Sequence, residues 1–324
     1  MANLSNVSSQ VKGRTITQKE KAKKAAKTYN PYGFSGKTNI FMHILLASFS
    51  FLCIFPFIYV IIISLTSEQS LAQNGYSIFP QEWSLEAYRY LKTMKDQLLS
   101  AFGVTLLVTV LGTLISVSII SLYSYAISRK QFIYRKQFTF IAFFTMLFSG
   151  GLVPFFIVVT QFLDLKNTIW ALILPLAVNA FYIIIMRTFF QQSVPEAILE
   201  SARIDGAGEF RIFLQIVVPL AVPGIATIAL FSTLAYWNDW FNALLFIDNP
   251  NLVPLQSLLM KIENNLDFIK QNSMMSQNSS LLNSIPQDSV KMAIVVIATL
   301  PIALSYPFFQ KYFVKGLTIG GVKE

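Results

Sequence analysis

The chain has 324 residues, enough for two ordinary soluble domains, yet 54% are hydrophobic and only 13% charged, about half the usual charged share of ~25%. Mean hydropathy is +0.55 and Phe occurs 29 times, which excludes a disordered chain. One cysteine and one histidine exclude a disulfide scaffold and a Cys/His metal site. The net charge of +9 is dispersed between long uncharged runs, as a membrane-orientation signal is, rather than gathered into a nucleic-acid patch.

In chain order, residues 1–38 read as a basic tail carrying Lys12, Arg14, Lys19, Lys21, Lys23, Lys24, Lys27 and Lys37. It is read as a retained orientation signal, with a polybasic lipid-binding segment as the alternative. The apolar run that follows is too long for a signal peptide. Gly36-Lys37-Thr38 ends like a phosphate-binding loop. However, position 31 is Pro where that motif needs Gly, and a spanning helix follows without a preceding strand. Nucleotide chemistry therefore belongs to another subunit.

A helix needs about 20 apolar residues to cross a bilayer core. Six mostly apolar, charge-free stretches come close to or exceed that: 38–67, 97–128, 137–163, 167–186, 212–238 and 292–310. Their length argues for helices over barrel strands, so the fold class is an all-α integral membrane protein with six transmembrane helices. His43 and Cys53 fall in the first run and read as packing residues. Gly150, Gly151 and Pro154 predict a broken third helix, tolerable against protein or a water-filled cavity. With the N-terminus inside, the inner segments hold 18 Lys and Arg against 6 in the outer loops. That places both termini in the cytoplasm. The outer loop from about 248 to 289 is rich in Asn, Ser and Gln and reads as a long polar linker, with 264–284 as its extension. Asn278-Ser279-Ser280 matches a glycosylation tripeptide that is common by chance.

The inner segment of about 193–224 carries the strongest pattern. Ser193 and Glu196 fit a capping box with Pro195 in the first turn. Ala197, Ile198 and Ala202 can share an apolar face, and Gly206 follows where a chain turns cheaply. A second segment, 210–216, leads into the fifth span, with Pro219 and Pro223 bending its entry. A surface helix, a turn and a second helix suit either a knob for a soluble partner or a structured connection. Residues alone leave both open. In span five, Asp239 lies among Trp237, Asn238, Trp240 and Asn242. A charge there marks either a substrate path or an ordinary interfacial belt. No Ser/His/Asp or paired-carboxylate set is present, so no catalytic role is assigned.

Glu200-Ser201-Ala202, Gly206, Ile216 and Pro219 resemble the EAA loop of ABC-importer permeases, departing from it at Ser201 and Val218. Four further segments resemble the carbohydrate-importer, maltose-type family. They are Ile204-Asp205-Gly206-Ala207, Tyr125-Ala126-Ile127-Ser128-Arg129, Lys166-Asn167-Thr168-Ile169-Trp170 and Trp237-Asn238-Asp239-Trp240. The run Lys315 to Lys323 resembles the tail of the smaller maltose permease type. The resemblance covers about 39–324 and implies a type I importer permease domain there. It implies half of a pore completed by a second permease subunit. Two ATP-binding subunits would hold ATP and Mg, leaving no cofactor on this chain, and an extracytoplasmic solute-binding protein would deliver a saccharide. Glu196, Glu200, Ser201, Ala202, Asp205, Gly206, Ala207, Ile216 and Pro219 would couple to an ATPase. Trp237, Asn238, Asp239, Trp240 and Asn242 would be the candidates for the path. Competing readings are an importer permease for an amino acid, polyamine or anion, and a membrane-embedded enzyme.

Overall fold

The structure is a computed structural model that describes residues 36–275 and 286–321. The basic tail before residue 36, the Asn278-Ser279-Ser280 tripeptide and residues 322–324 lie outside the described residues. Among the described residues the regular structure is helical, with one isolated antiparallel bridge from Thr66 to Trp83. The chain divides into two units, Met1–Tyr59 and Val60–Glu324, and the boundary falls within the first helix, α1 (Gly36–Ser64).

The described part of the first unit is one apolar rod. Every described side chain from Lys37 to Ile54 is exposed, and Phe51, Phe55 and Tyr59 stack along it at four-residue spacing. Apolar surface of this extent requires lipid or protein around it.

In the second unit α2 (Glu68–Asn74) and α3 (Glu86–Thr93) precede α4 (Lys95–Ser128), a 34-residue helix at the centre of the packing. Around it lie α5 (Arg135–Leu147), α6 (Leu152–Phe162), α7 (Trp170–Leu176), α8 (Ala180–Ser193), α9 (Glu196–Ile204), α10 (Glu209–Leu220) and α11 (Val222–Trp237). The chain ends with α12 (Phe241–Phe246), α13 (Leu255–Met275) and α14 (Gln287–Gly321).

Three helices are long and apolar enough to cross a membrane: Lys37–Ser64, Lys95–Ser128 and Gln287–Pro307. The other three apolar stretches are broken. α5 and α6 meet at 115°, α7 and α8 at 52°, and α10 and α11 at 84°. The first break is the one that Gly150, Gly151 and Pro154 predict, and Gly151 turns it with a φ of +88°. Pro219 and Pro223 flank the third. The second was not anticipated. Helix α8 restarts where the Asn179 side chain accepts from the backbone N–H groups of Phe181 and Tyr182.

Small residues let helices approach α4. Ala101, Thr105, Thr109, Gly112, Ser116 and Ser124 are buried along it. A Cβ added at Gly112 would lie 2.5 Å from the Tyr236 ring. Hydroxyls pair across the same contact, Thr113 with Thr233 and Ser116 with Ser232, each at 3.2 Å. The Ser124 hydroxyl donates to the Ile183 carbonyl at 3.0 Å.

Within the polar linker expected over 248–289, residues Leu255–Met275 instead form a helix. Leu255, Leu259, Ile262 and Leu266 recur at helical spacing and all four are buried, packed with Val290, Ala293 and Ile294 of α14. The polar residues that suggest a linker form the outer face of an amphipathic helix. Lys291 pairs with Asp267 across this contact. The Glu68 carboxylate accepts from the backbone N–H groups of Asp288 and Ser289 and from the Ser289 hydroxyl. It thereby caps α14.

Candidate functional site

Helix α9 is nine residues long. The expected capping box does not form. Ser193 ends α8 and Val194, ahead of Pro195, is extended, so no side chain caps α9. Nor is the inward face the expected one. Leu199 is fully buried with Ala202 half-buried beside the same cluster, whereas Ala197 is exposed and Ile198 is 44% exposed.

The far end of α9 closes in a Schellman turn. The Ala207 N–H donates to the Ala202 carbonyl at 2.9 Å and the Gly206 N–H to the Arg203 carbonyl at 3.0 Å. Gly206 has φ +80°, the left-handed conformation that the motif requires. The four-residue interval from Ala202 to Gly206 is the span of this turn, and Ala202 and Ala207 pack on one core cluster. Glu200, Ser201 and Asp205 are exposed on the outer face. Ile204 and Phe210, 86% and 67% exposed, flank the turn. Ile216 is half-buried within a single π-helical stretch of α10, and Pro219 is exposed near its end.

Glu196 does not cap its own helix. Its carboxylate lies 3.6 Å from the Arg129 guanidinium and 3.7 Å from that of Arg203, and accepts from the Gln131 amide at 2.9 Å. Arg203 donates to Glu209 at 2.7 Å, and the Tyr125 hydroxyl donates to the other Glu209 oxygen at 2.9 Å. Arg129, 5% exposed, also donates to the Ser128 hydroxyl and the Phe190 carbonyl and lies 5.2 Å from the Tyr125 ring centre. Burial pushes the Arg129 guanidinium below its usual pKa, opposed by the Glu196 charge. The Glu209 hydrogen bond raises that of Arg203. Both stay cationic at neutral pH. The network ties α9 and the start of α10 to the end of α4. It borders a pocket of about 470 Å³ lined in part by Leu122, Phe132, Phe210 and Phe213.

Sequence reading missed Arg129, Gln131, Arg203 and Glu209 as partners. Tyr125 and Arg129 were singled out only as part of a family-like segment. Another such segment also acquires a role. Asn167, at φ +58°, donates its N–H to the Phe246 carbonyl, and its side-chain oxygen accepts from the N–H groups of Asp248 and Asn249. Lys166 pairs with Asp248 at 2.9 Å. The segment before α7 thus clamps the chain leaving α12.

The residues proposed for a path sit at the gap between α11 and α12 and divide there. Trp237 is buried and donates to the Ala298 carbonyl at 3.2 Å. Asp239 accepts from both the backbone N–H and side-chain amide of Asn242, which restarts the helix. Asn238 is exposed and Trp240 half-exposed. Phe241, not foreseen, lines a pocket of about 650 Å³ with Ser149, Gly150, Gly151 and Pro154. Among the described residues no group of three or more His, Cys, Asp or Glu could hold a metal.

Among the described residues the chain is helical, with an exposed, anchored helix-turn between two apolar stretches long enough to serve as membrane spans. Residues 35–319 match the family described as binding-protein-dependent transport system inner membrane component, and the chain belongs to that family. It is 41% identical over 280 residues to the polygalacturonan/rhamnogalacturonan transport system permease protein YtcP of Bacillus subtilis, covering 86% of this chain and 95% of that one. It is 29% identical over 280 residues to the trehalose/maltose transport system permease protein MalG of Thermococcus litoralis, covering 84% and 92%. Among solved structures it resembles a chain of a bacterial ABC transporter involved in import of the acidic polysaccharide alginate, with TM-score 0.73 and 30% identity. That match covers 86% of this chain and 99% of the other. The carbohydrate-importer resemblance read from the sequence is upheld by these relatives.

Proposed function

We propose that the chain is one permease subunit of an ABC importer for a saccharide. The observation that carries this reading is the exposed knob of α9, closed at Gly206 and anchored to α4 through Glu196, Arg129, Arg203 and Glu209. It offers Ile198, Glu200, Ile204 and Phe210 outward, a mixed apolar and acidic surface suited to a cleft on a soluble ATPase. The three long helices and the three bent pairs make six crossings, with both termini and the knob in the cytoplasm. A second permease subunit completes the pore. Two ATP-binding subunits hold ATP and Mg and dock beneath, and an extracytoplasmic solute-binding protein presents the sugar. This chain binds no cofactor and catalyses no bond chemistry. Closure of the ATPase pair moves the knob, and the network passes that motion to α4 and through the bend into α11. In physical terms, a rigid connection biases a two-state element. The pocket at Gly150, Gly151 and Phe241, with Asn238 and Trp240 nearby, is the candidate for this subunit's share of the path. Saccharide cargo is supported by the transport names of the relatives.

Co-purification from mild detergent tests the assembly, with ATPase stimulation by binding protein loaded with uronate or neutral oligosaccharides testing the cargo. Topology is tested in a Cys53→Ser background. A membrane-impermeant maleimide labels Asp248→Cys in intact cells and Glu200→Cys only after permeabilisation. The reverse labelling, or cargo uptake by the chain with no ATPase partner, would refute the assignment.

A further inference from the structure

Four cations lie in the segment 129–136. Arg129 is consumed by the coupling network, but Arg135 and Lys136 have no ion-pair partner among the described residues. Arg187 on α8 has none either, and its Nε is buried without a hydrogen-bond partner. These three line one pocket of about 470 Å³ with Thr139, Phe140 and Phe143, where α5 packs on α8. Three like charges around one hollow repel each other, and no protein carboxylate answers them there. The wall beside them is apolar and open. Phe140 and Phe143 are 65% and 47% exposed, and Phe144 and Leu147 continue the exposed surface along α5.

The geometry points to a binding site for one anionic phospholipid, with its headgroup phosphate against Arg135, Lys136 and Arg187 and an acyl chain along Phe140 and Phe143. Guanidinium forks match phosphate oxygens, and unpaired basic residues at the inner leaflet attract anionic headgroups. A zwitterionic lipid carries no net charge to offset three cations. Free phosphate offsets them but leaves the phenyl rings in water. The site rests on the proposed function only in placing the Arg135 end of α5 at the inner membrane surface.

The test uses the full-length chain with whatever subunits co-purify in mild detergent, probed by native mass spectrometry with added phosphatidylglycerol or phosphatidylcholine. Phosphatidylglycerol is expected to stay bound and phosphatidylcholine to leave. Arg135→Gln and Arg187→Gln should each weaken retention about fivefold, and millimolar inorganic phosphate should not displace the lipid. Lys136 is exposed, so Lys136→Gln carries the test if the arginine variants fold poorly. Unchanged retention in these variants, equal retention of phosphatidylcholine, or displacement by phosphate overturns the proposal. Loss of a protein subunit in place of the lipid overturns it in favour of an acidic protein partner. If the lipid behaves as expected while no ATPase co-purifies, the lipid site stands and the importer reading falls.

Discussion

Gly206 allows the coupling reading to be tested on conformation alone. Its φ is +80° and nothing lies within 4 Å of where a Cβ would be, so Gly206→Ala meets no steric obstacle within this chain. What it meets is the left-handed region, which costs a side-chain-bearing residue about 1–2 kcal/mol. If only the turned loop fits the ATPase, the population able to dock falls about 5- to 30-fold. The assay is the apparent affinity of the purified ATPase for the permease in proteoliposomes, together with binding-protein-stimulated hydrolysis. Gly206→Asn should recover much of the loss, because Asn tolerates this conformation. Equal damage by Ala and Asn, or no damage by Ala, would show that the turn geometry is not what matters.

Further outcomes follow from other contacts. Gly112→Ala drives a Cβ into the Tyr236 ring and should destabilise the protein by about 1–3 kcal/mol. Gly103→Ala, in the same helix with open space at the Cβ, is the control without a clash and should be unchanged or slightly more stable, and thermal unfolding in detergent compares the two. Glu196→Gln removes the charge facing buried Arg129 and should cost about 1–3 kcal/mol. Arg203→Gln, at a more exposed pair, should cost less than about 1 kcal/mol. The reverse order in thermal midpoints would contradict the assigned burial. Both should lower transport per ATP hydrolysed, measured in proteoliposomes. Leu266→Ala should cost about 2–5 kcal/mol if α13 is anchored as described, whereas a loose linker would leave the unfolding midpoint unchanged.

The apolar stretches were legible because bilayer thickness sets a length that charge-free runs reveal directly. Two of the three breaks were legible from Gly150, Gly151 and Pro154 and from Pro219 and Pro223, since these residues cannot continue a helix undisturbed. The break before α8 is signalled by Pro175, in the short 3-10 turn that ends α7, and by Asn179 ahead of an apolar run, both inside what otherwise reads as one span. Helix α13 was missed because polar composition outweighed a regular apolar spacing from Leu255 to Leu266. At the end of α9, Ala202 and Gly206 could be read because a Schellman turn is local. The anchoring network could not, because Arg129 and Glu196 are far apart in sequence and only the packing of α4 against α8 brings them together.

The near-right-angle joint between α10 and α11 makes the two helices a bell crank. The short arm is about 18 Å long and the other about 24 Å at 1.5 Å per residue, and they meet at 84° on Ala221, whose side chain is fully enclosed. With the joint held stiff, a displacement of about 3 Å at the Glu209 end of the short arm swings the far tip of the long one by about 4 Å. The direction of travel turns through the corner, so a displacement across the short arm emerges as a sweep across the long one.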